Sequence, residues 1–236
     1  EGRAIKSSDL VICAHEKRSE IMKSYHQLST SPVVIRNISY FTGINNQIPQ
    51  EVFEQCKDFF DIPAFFVVYA GGMLYGRKLE LLIDAIDKLG PEYKLLLVGN
   101  GPAYESLKEK IDCLNNINIK IITAVPYANL ASILKKADAG YMFYPTDTIN
   151  NLYCAPNKIF EYASVGLPII SNLNPNVKQD IDQSNIGCCD NNLVDAINYV
   201  KNNKKVLKKN IDSFIESNNV NDEMDKLNKA IKLILE

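Results

Sequence analysis

The chain reads P-N-K-I-F-E-Y from Pro156 to Tyr162 and G-L-P-I-I from Gly166 to Ile170. A proline and an asparagine are typical of a helix start, a glycine of a helix end, and the apolar residues after it of a buried strand. The first N–H groups of a helix have no partner within it, so such a start suits a phosphate. Glu161 lies four residues after Asn157, one turn along the same face, where a carboxylate fits the ribose hydroxyls of the same nucleotide. The alternative is an ordinary buried helix that points Glu161 into solvent.

The rest of the chain alternates apolar runs with helical patterns. Strands are predicted at 65–70, 94–98, 119–122, 139–144, 168–171 and 186–189, with amphipathic helices between them. Strands that are apolar throughout and separated by helices are typical of a parallel sheet covered on both faces. The sequence therefore predicts an α/β fold with a doubly wound parallel sheet, in which ligands bind at the carboxyl edge.

Bulk properties exclude several classes of protein. The 236 residues carry a net charge of −2, so no global basic field attracts nucleic acid. No apolar run approaches the ~20 residues that cross a bilayer, and no signal peptide is visible. The six cysteines form neither zinc-like pairs nor a dense disulfide pattern, which predicts reduced thiols in a cytoplasmic protein. His15 and His26 look isolated, and Asp180 and Asp182 are expected in a solvated loop, so no metal site is predicted.

The segment at 156–170 resembles the nucleotide-sugar motif of the GT-B glycosyltransferases, specifically the retaining family 4 (group 1) type, whose members often read P-N-K-x-x-E-Y…G-x-P-I. The resemblance implies a Rossmann-like C-terminal domain that takes a UDP- or GDP-sugar as substrate, without a cofactor or catalytic metal. In that family the helix start holds the donor diphosphate, which implicates Asn157, Lys158 and Ile159 here, and the glutamate holds the ribose, which implicates Glu161. A second family glutamate, eight residues earlier, contacts the sugar, and Tyr153 stands in its place.

The turn after the first predicted strand adds a cation to the implied site. Gly71 and Gly72 let the backbone approach a ligand closely. By register with the family, Arg77 stands where a phosphate-binding lysine is usual. Gly72 stands where the family often has a second basic residue. Without the resemblance, this stretch is equally a glycine-rich turn with Arg77 and Lys78 in solvent.

The next two turns follow the same logic. Gly99 and Gly101 come after the second strand, where the family lines its donor cleft, although the pair alone is typical of any tight βα turn. Val125 and Tyr127 come after the third strand, where the family touches the base, and Tyr127 could equally serve packing alone. The resemblance thus implies catalytic roles for Arg77, Lys158 and Glu161, and nucleotide-sugar contacts from Gly71, Gly72, Gly99, Gly101, Val125, Tyr127, Asn157 and Ile159.

The predicted domains are a remnant of an N-terminal domain at 1–40, a linker at 41–64, a donor nucleotide-sugar-binding domain at 65–220 and a C-terminal helix at 221–236. In the family this order resembles the end of the N-terminal domain, a hinge and the whole C-terminal domain. The acceptor site is then expected in a missing N-terminal domain or subunit. After Val200, Asn202 and Asn203 are expected to interrupt a lysine-rich helix whose basic face is solvated or, alternatively, meets anionic lipid.

The resemblance implies a hexosyltransferase that moves a sugar from a nucleoside diphosphate to a hydroxyl acceptor in glycan or polysaccharide biosynthesis. Its expected location is the cytoplasm or the inner membrane face, with a lipid-linked acceptor as one expected partner. Two alternatives are a GT-B-fold nucleotide-sugar epimerase and a non-catalytic nucleotide-binding subunit. Analysis of the products formed without an acceptor would distinguish the epimerase from the transferase. An α/β domain encoded upstream of Glu1 would favour the transferase over the non-catalytic subunit.

Overall fold

Eight strands appear in the computed structural model, which describes residues 2–41 and 47–235. They are β1 (Ile12–Cys13), β2 (Val33–Val34), β3 (Phe65–Ala70), β4 (Tyr93–Val98), β5 (Ile119–Ile122), β6 (Ala139–Met142), β7 (Ile169–Ser171) and β8 (Gly187–Cys189). The first two form a separate parallel pair, and the other six form one sheet in the order β5-β4-β3-β6-β7-β8. All neighbours in that sheet are parallel, so the predicted α/β fold with a doubly wound parallel sheet is confirmed.

Helices connect the strands and cover both faces of the sheet. They are α1 (Gly2–Lys6), α2 (Glu16–His26), α3 (Gln50–Asp61), α4 (Leu79–Leu89), α5 (Tyr104–Leu114), α6 (Tyr127–Leu134), α7 (Ile149–Leu152), α8 (Lys158–Ser164), α9 (Pro175–Ser184), α10 (Leu193–Ser217) and α11 (Val220–Leu235). A short 3₁₀ turn spans Tyr75–Arg77. Residues 42–46 of the predicted linker, and the two terminal residues, lie outside the described residues.

The central strand β3 shows why its sequence is apolar throughout. All six of its residues are buried. Phe66, Val68 and Ala70 pack into the core on one face, and Phe65, Val67 and Tyr69 into the core on the other. Because both faces are covered by helices, alternation of apolar and polar residues is absent, as expected for a buried parallel strand.

The strand order reverses direction between β3 and β6. From β3 the chain moves outward through β4 and β5, then returns to the other side of β3 to continue with β6, β7 and β8. The helices that follow the two central strands therefore lie on opposite sides, which leaves a crevice at their carboxyl ends. Ligands of open α/β sheets bind at such a point, so the fold itself indicates where to look for a site.

Helix α10 corrects one expectation from the sequence. It runs unbroken for 25 residues, so the predicted interruption at Asn202 and Asn203 is wrong. The amide of Asn203 donates to the carbonyl of Tyr199 at 2.9 Å, one turn back along the helix. Apolar residues at helical spacing hold the helix to the core, and packing of this kind overrides the weak helix propensity of asparagine. They are Ala196, Ile197, Val200, Leu207, Ile211 and Phe214.

The lysines of α10 do not form one free basic face. Lys201 pairs with Glu92 at 3.2 Å, and Lys204 pairs with Asp138.

Across residues 2–41 and 47–235, no helix is both long enough and apolar enough to span a membrane.

Lys94 caps α3 from within the sheet. It lies on β4, is only 4% exposed, and its Nζ donates to the carbonyls of Phe59, Phe60 and Ile62 at 3.1, 3.1 and 2.7 Å. Burial lowers the pKa of Lys94, with Asp138 and Asp61 acting in the opposite direction. A cation at this place satisfies the last carbonyls of the helix and complements its dipole.

We expect Lys94→Met to lower the free energy of unfolding by about 2 kcal/mol. Methionine keeps most of the buried stem but leaves three carbonyls without their donor. Urea denaturation measures the change, and Lys88→Met, at an exposed position of α4, is the matched control. A loss no larger than that of the control would show that the cap does not stabilise the fold.

Candidate functional site

A pocket of about 530 Å³ opens beside the crevice between β3 and β6. The start of α8 forms one wall, and residues from the N-terminal segment and α7 form the other. Its lining residues are Ala14, Arg18, Asn37, Tyr144, Asn150, Cys154, Ala155, Pro156, Asn157, Lys158 and Glu161. Three of the residues singled out in the sequence, Asn157, Lys158 and Glu161, therefore share one pocket.

Lys158 turns inward from the first position of α8. Its ammonium group donates to the carbonyl of Ala70 at the end of β3 and lies 5.5 and 5.9 Å from the ring centroids of Tyr69 and Tyr162. Burial lowers the pKa of Lys158, Arg77 lowers it further, and Glu161 acts in the opposite direction. Within the described residues Lys158 has no carboxylate partner, and an ammonium has three donors. Two donors therefore remain for an anion in the pocket.

Arg77 is held at the carboxyl end of β6. Its Nη1 donates to the carbonyl of Phe143 at 2.6 Å, and its guanidinium lies 4.3 Å from the ring centroid of Tyr144. Arg77 is half-buried and is close enough to Lys158 to lower the pKa of that amine. Neither cation has a carboxylate in direct contact, and Glu161 offsets only part of the charge around Lys158, so this arrangement favours a bound anion.

The glycine loops after β3 and β4 pack directly against each other. A Cβ on Gly99 would lie 1.9 Å from the carbonyl oxygen of Gly71, and one on Gly101 would lie 2.4 Å from that of Met73. Only glycine permits this approach. A second cavity, of about 320 Å³, is lined by Gly71, Gly72 and Gly99 together with Val125. The structure thus brings the predicted turn residues to one edge of the sheet.

Gly71, which lines the second cavity, lies beside Lys158, which lines the first. A Cβ at this position would lie 2.6 Å from Nζ of Lys158, which shows how closely the lysine approaches the end of β3. The sequence-predicted residues after β3 and in α8 therefore lie at the same end of the sheet, as the strand order requires.

Glu161 lines the pocket although its helix is otherwise buried. Ile159, Phe160, Tyr162 and Ala163 pack into the core, whereas Glu161 is half-buried. The hydroxyl of Tyr127 donates to Oε1 of Glu161 at a long 3.5 Å. The carboxylate therefore keeps acceptor capacity for a ligand.

The start of α8 differs in detail from the sequence expectation. The side chain of Asn157 caps no N–H of the helix and instead accepts at 2.8 Å from the amide of Asn37. The N–H of Ile159 donates to the carbonyl of Pro156 at 3.4 Å. Lys158, which is half-buried, is the charged side chain that this helix start adds to the pocket lining.

Sequence reasoning missed the residues that the N-terminal segment contributes. Asn37 contacts Asn157, and Ser39 Oγ lies 3.2 Å from the hydroxyl of Tyr127. Arg18 in α2 reaches across to the loop before α8. These residues are more than 80 positions away from their partners in the chain, and no local pattern marks them.

Two expectations about acidic and histidine residues are wrong. Asp180 lies in α9 rather than in a solvated loop, and its carboxylate accepts from Arg36 at 2.8 Å. His15 is buried rather than isolated, with Nε2 3.8 Å from Asp180 and Nδ1 3.3 Å from the amide of Asn176. This network ties the N-terminal segment to the main sheet. In the described parts of the chain, no three His, Cys, Asp or Glu residues lie close enough to hold a metal ion.

A family model for group 1 glycosyl transferases matches residues 64–203, more than half of the chain. The chain belongs to the group 1 glycosyltransferases. The matched residues include all six strands of the main sheet and both predicted cations, Arg77 and Lys158. A comparison with curated proteins finds no match.

Solved structures of glycosyltransferases share the fold. The pneumococcal O-GlcNAc transferase GtfA, in complex with UDP and GlcNAc, is 14% identical with a TM-score of 0.72 over 99% of this chain and 47% of its own. Anabaena HepE, in complex with UDP, is 14% identical with a TM-score of 0.73 over 95% of this chain and 64% of its own. Sucrose-phosphate synthase from Thermosynechococcus elongatus is 15% identical with a TM-score of 0.72 over 99% and 60%. The chain therefore has the Rossmann-like GT-B fold and spans less than two thirds of these three proteins.

Proposed function

We propose that this chain is the donor-binding, C-terminal part of a retaining GT-B glycosyltransferase of the family 4 type. The intact enzyme moves a hexosyl group from a UDP- or GDP-sugar to a hydroxyl acceptor in glycan synthesis. Membership of the group 1 family and a pocket at the switch point of the sheet support this proposal.

The observation that carries the proposal is the placement of Lys158 and Arg77. Both cations lie at the carboxyl ends of the two central strands, and neither has a carboxylate partner in the described part of the chain. A nucleoside diphosphate supplies the negative charge that this pair requires. Anabaena HepE and pneumococcal GtfA, which share the fold, were solved with UDP.

The proposed chemistry is electrostatic. When the bond between the anomeric carbon and the diphosphate oxygen breaks, negative charge collects on the departing diphosphate. Lys158, Arg77 and the N–H groups of Asn157 and Lys158 stabilise this charge in a partly desolvated pocket, which lowers the barrier for departure. Glu161 accepts hydrogen bonds from the ribose hydroxyls and so positions the nucleotide. Retention of configuration follows from the family resemblance.

The proposed domain division keeps 1–40 as a piece of an N-terminal domain, 41–64 as a linker, 65–220 as the donor domain and 221–236 as the C-terminal helix. Two observations support it. The family model begins at residue 64, and β1 and β2 form a two-stranded parallel sheet whose outer edges are unpaired by any other described strand. Parallel sheets of this size are rarely stable alone, so we propose that an acceptor domain continues this sheet. A lipid-linked acceptor at the inner membrane face is part of the same proposal.

Calorimetric titration of the chain with UDP, GDP and AMP tests the proposal. We expect UDP or GDP to bind and AMP to bind more weakly, because AMP lacks the second phosphate that the cation pair would hold. Equal binding of AMP, or no binding of either diphosphate at millimolar concentration, would contradict it.

We expect Glu161→Ala to weaken binding of the preferred nucleoside diphosphate by about 1.5–3 kcal/mol without unfolding the domain. The ribose hydroxyls would lose their contacts with the carboxylate, while the buried face of α8 stays intact. A deoxyribose nucleotide removes one partner of the same contact, so the two changes should be non-additive.

Titrating the wild type and Glu161→Ala with the ribose and the deoxyribose form of the nucleotide completes a thermodynamic cycle for the two changes. Asn157→Ala is the comparison within the same helix, and its effect should be smaller because backbone N–H groups would do the phosphate work. Strict additivity of Glu161→Ala and the missing hydroxyl would mean that Glu161 does not touch the ribose.

A further inference from the structure

Arg18 is a cation fixed in the wall of the pocket. From α2, its Nε donates to the carbonyl of Tyr153 at 2.7 Å, and its Nη2 donates to the side chain of Asn150. These bonds hold the plane of the guanidinium in one orientation. Its Nη1 has no acceptor among residues 2–41 and 47–235, so that part of the fork is available to a ligand.

The charge of Arg18 is not balanced by the protein. It forms no ion pair with an acidic residue of the described chain. Among the described residues that line the pocket, Glu161 is the only acidic one, and Lys158 is a second cation. Arg18 therefore lines the pocket as a cation that no described carboxylate pairs with directly.

The position of Arg18 in the pocket indicates which part of a ligand it would meet. Glu161 and Tyr127 mark the nucleoside end, because the two side chains contact each other beside the loop after β5, where the family touches the base. Lys158 marks the middle, at the end of β3. Arg18 and Asn150 line the same pocket from α2 and α7, which leaves them for the sugar of a nucleotide-sugar.

We propose that Arg18 binds an anionic group on the transferred sugar, which makes a nucleoside diphosphate hexuronate the substrate class of this pocket. This inference rests on the proposed function. A guanidinium whose orientation is fixed by its bonds to Tyr153 and Asn150 can donate from its free Nη1 to a carboxylate in a charge-assisted hydrogen bond. A neutral hexose would leave the charge of Arg18 without an anionic partner.

Calorimetry on the 236-residue chain tests the inference with UDP, UDP-glucose and UDP-glucuronate, and with GDP, GDP-mannose and GDP-mannuronate. We expect the acidic donor of the preferred base to bind about tenfold more tightly than its neutral counterpart. Arg18→Gln should abolish that difference and leave the affinity for the plain nucleoside diphosphate within about twofold. Lys17→Gln, at the adjacent position of α2, should keep the preference.

The outcomes separate the inference from the function on which it rests. Binding of UDP or GDP together with equal affinity for acidic and neutral sugars would overturn the role of Arg18 and leave the proposed function intact. Equal weakening of plain nucleotide and acidic donor by Arg18→Gln would assign Arg18 to the diphosphate instead. Failure of every nucleotide to bind would overturn both. Should Arg18→Gln fail to fold, the comparison of sugars in the wild type and in Arg18→Lys still decides the question.

Discussion

Replacing Gly99 with alanine is expected to lower the free energy of unfolding by about 3 kcal/mol. The added Cβ would lie 1.9 Å from the carbonyl oxygen of Gly71, and Gly99 has a φ of +156°, which disfavours any other residue. The obstacle is backbone rather than a flexible side chain, so the loops after β3 and β4 must separate. Urea denaturation measures the loss.

Gly72→Ala is the matched control for this prediction. A Cβ on Gly72 meets nothing within 4 Å, so we expect a change of less than about 0.5 kcal/mol. The same separation of loops should also weaken nucleotide binding in Gly99→Ala, because Gly71 lies against Lys158. A Gly99→Ala protein as stable as Gly72→Ala would show that these loops do not require their close approach.

We expect Lys158→Met to weaken binding of UDP or GDP by about 10- to 100-fold, the effect of losing hydrogen bonds from a charged donor. Methionine fills the space of the lysine stem between the rings of Tyr69 and Tyr162 but cannot donate to a phosphate. Calorimetry gives the affinity, and thermal unfolding shows whether the loss of the bond to Ala70 also changes stability.

Lys209→Met, at an exposed position of α10, is the control for this variant and should bind as the wild type does. A Lys158→Met protein with unchanged affinity would remove Lys158 from the proposed site.

The same lysine predicts a pH dependence. Burial lowers the pKa of Lys158 in the free protein, and a bound diphosphate would favour the charged amine and raise the pKa again. At a pH near or above the lowered pKa, binding should therefore take up protons, and affinity should fall as the pH rises through that pKa. Titrations in buffers of different ionisation enthalpy detect this uptake in the wild type, and Lys158→Met should lack it.

Much of the fold could be predicted because its signals are local. Runs such as 65–70 and 94–98 became buried strands at those positions, since a strand covered on both faces is largely apolar. Glycine after a strand and before a helix marked the turns at Gly71 and Gly99 correctly. The parallel sheet then required these turns to meet at one edge, and they do.

What the sequence could not show depends on contacts between distant residues. The inward turn of Lys158 results from the carbonyl of Ala70, 88 positions away, and no pattern in α8 indicates it. Helix α10 continues through Asn202 because of its core contacts, which outweigh local propensity. Asp180 looked solvated because its partner, Arg36, lies 144 positions earlier in the chain.

A crystal structure of the chain with UDP or GDP tests the central claim most directly. We predict that oxygens of the diphosphate lie about 3 Å from Nζ of Lys158 and from the guanidinium of Arg77, with the ribose hydroxyls at Glu161. A nucleotide bound outside this pocket, or one whose diphosphate contacts neither cation, would contradict the account.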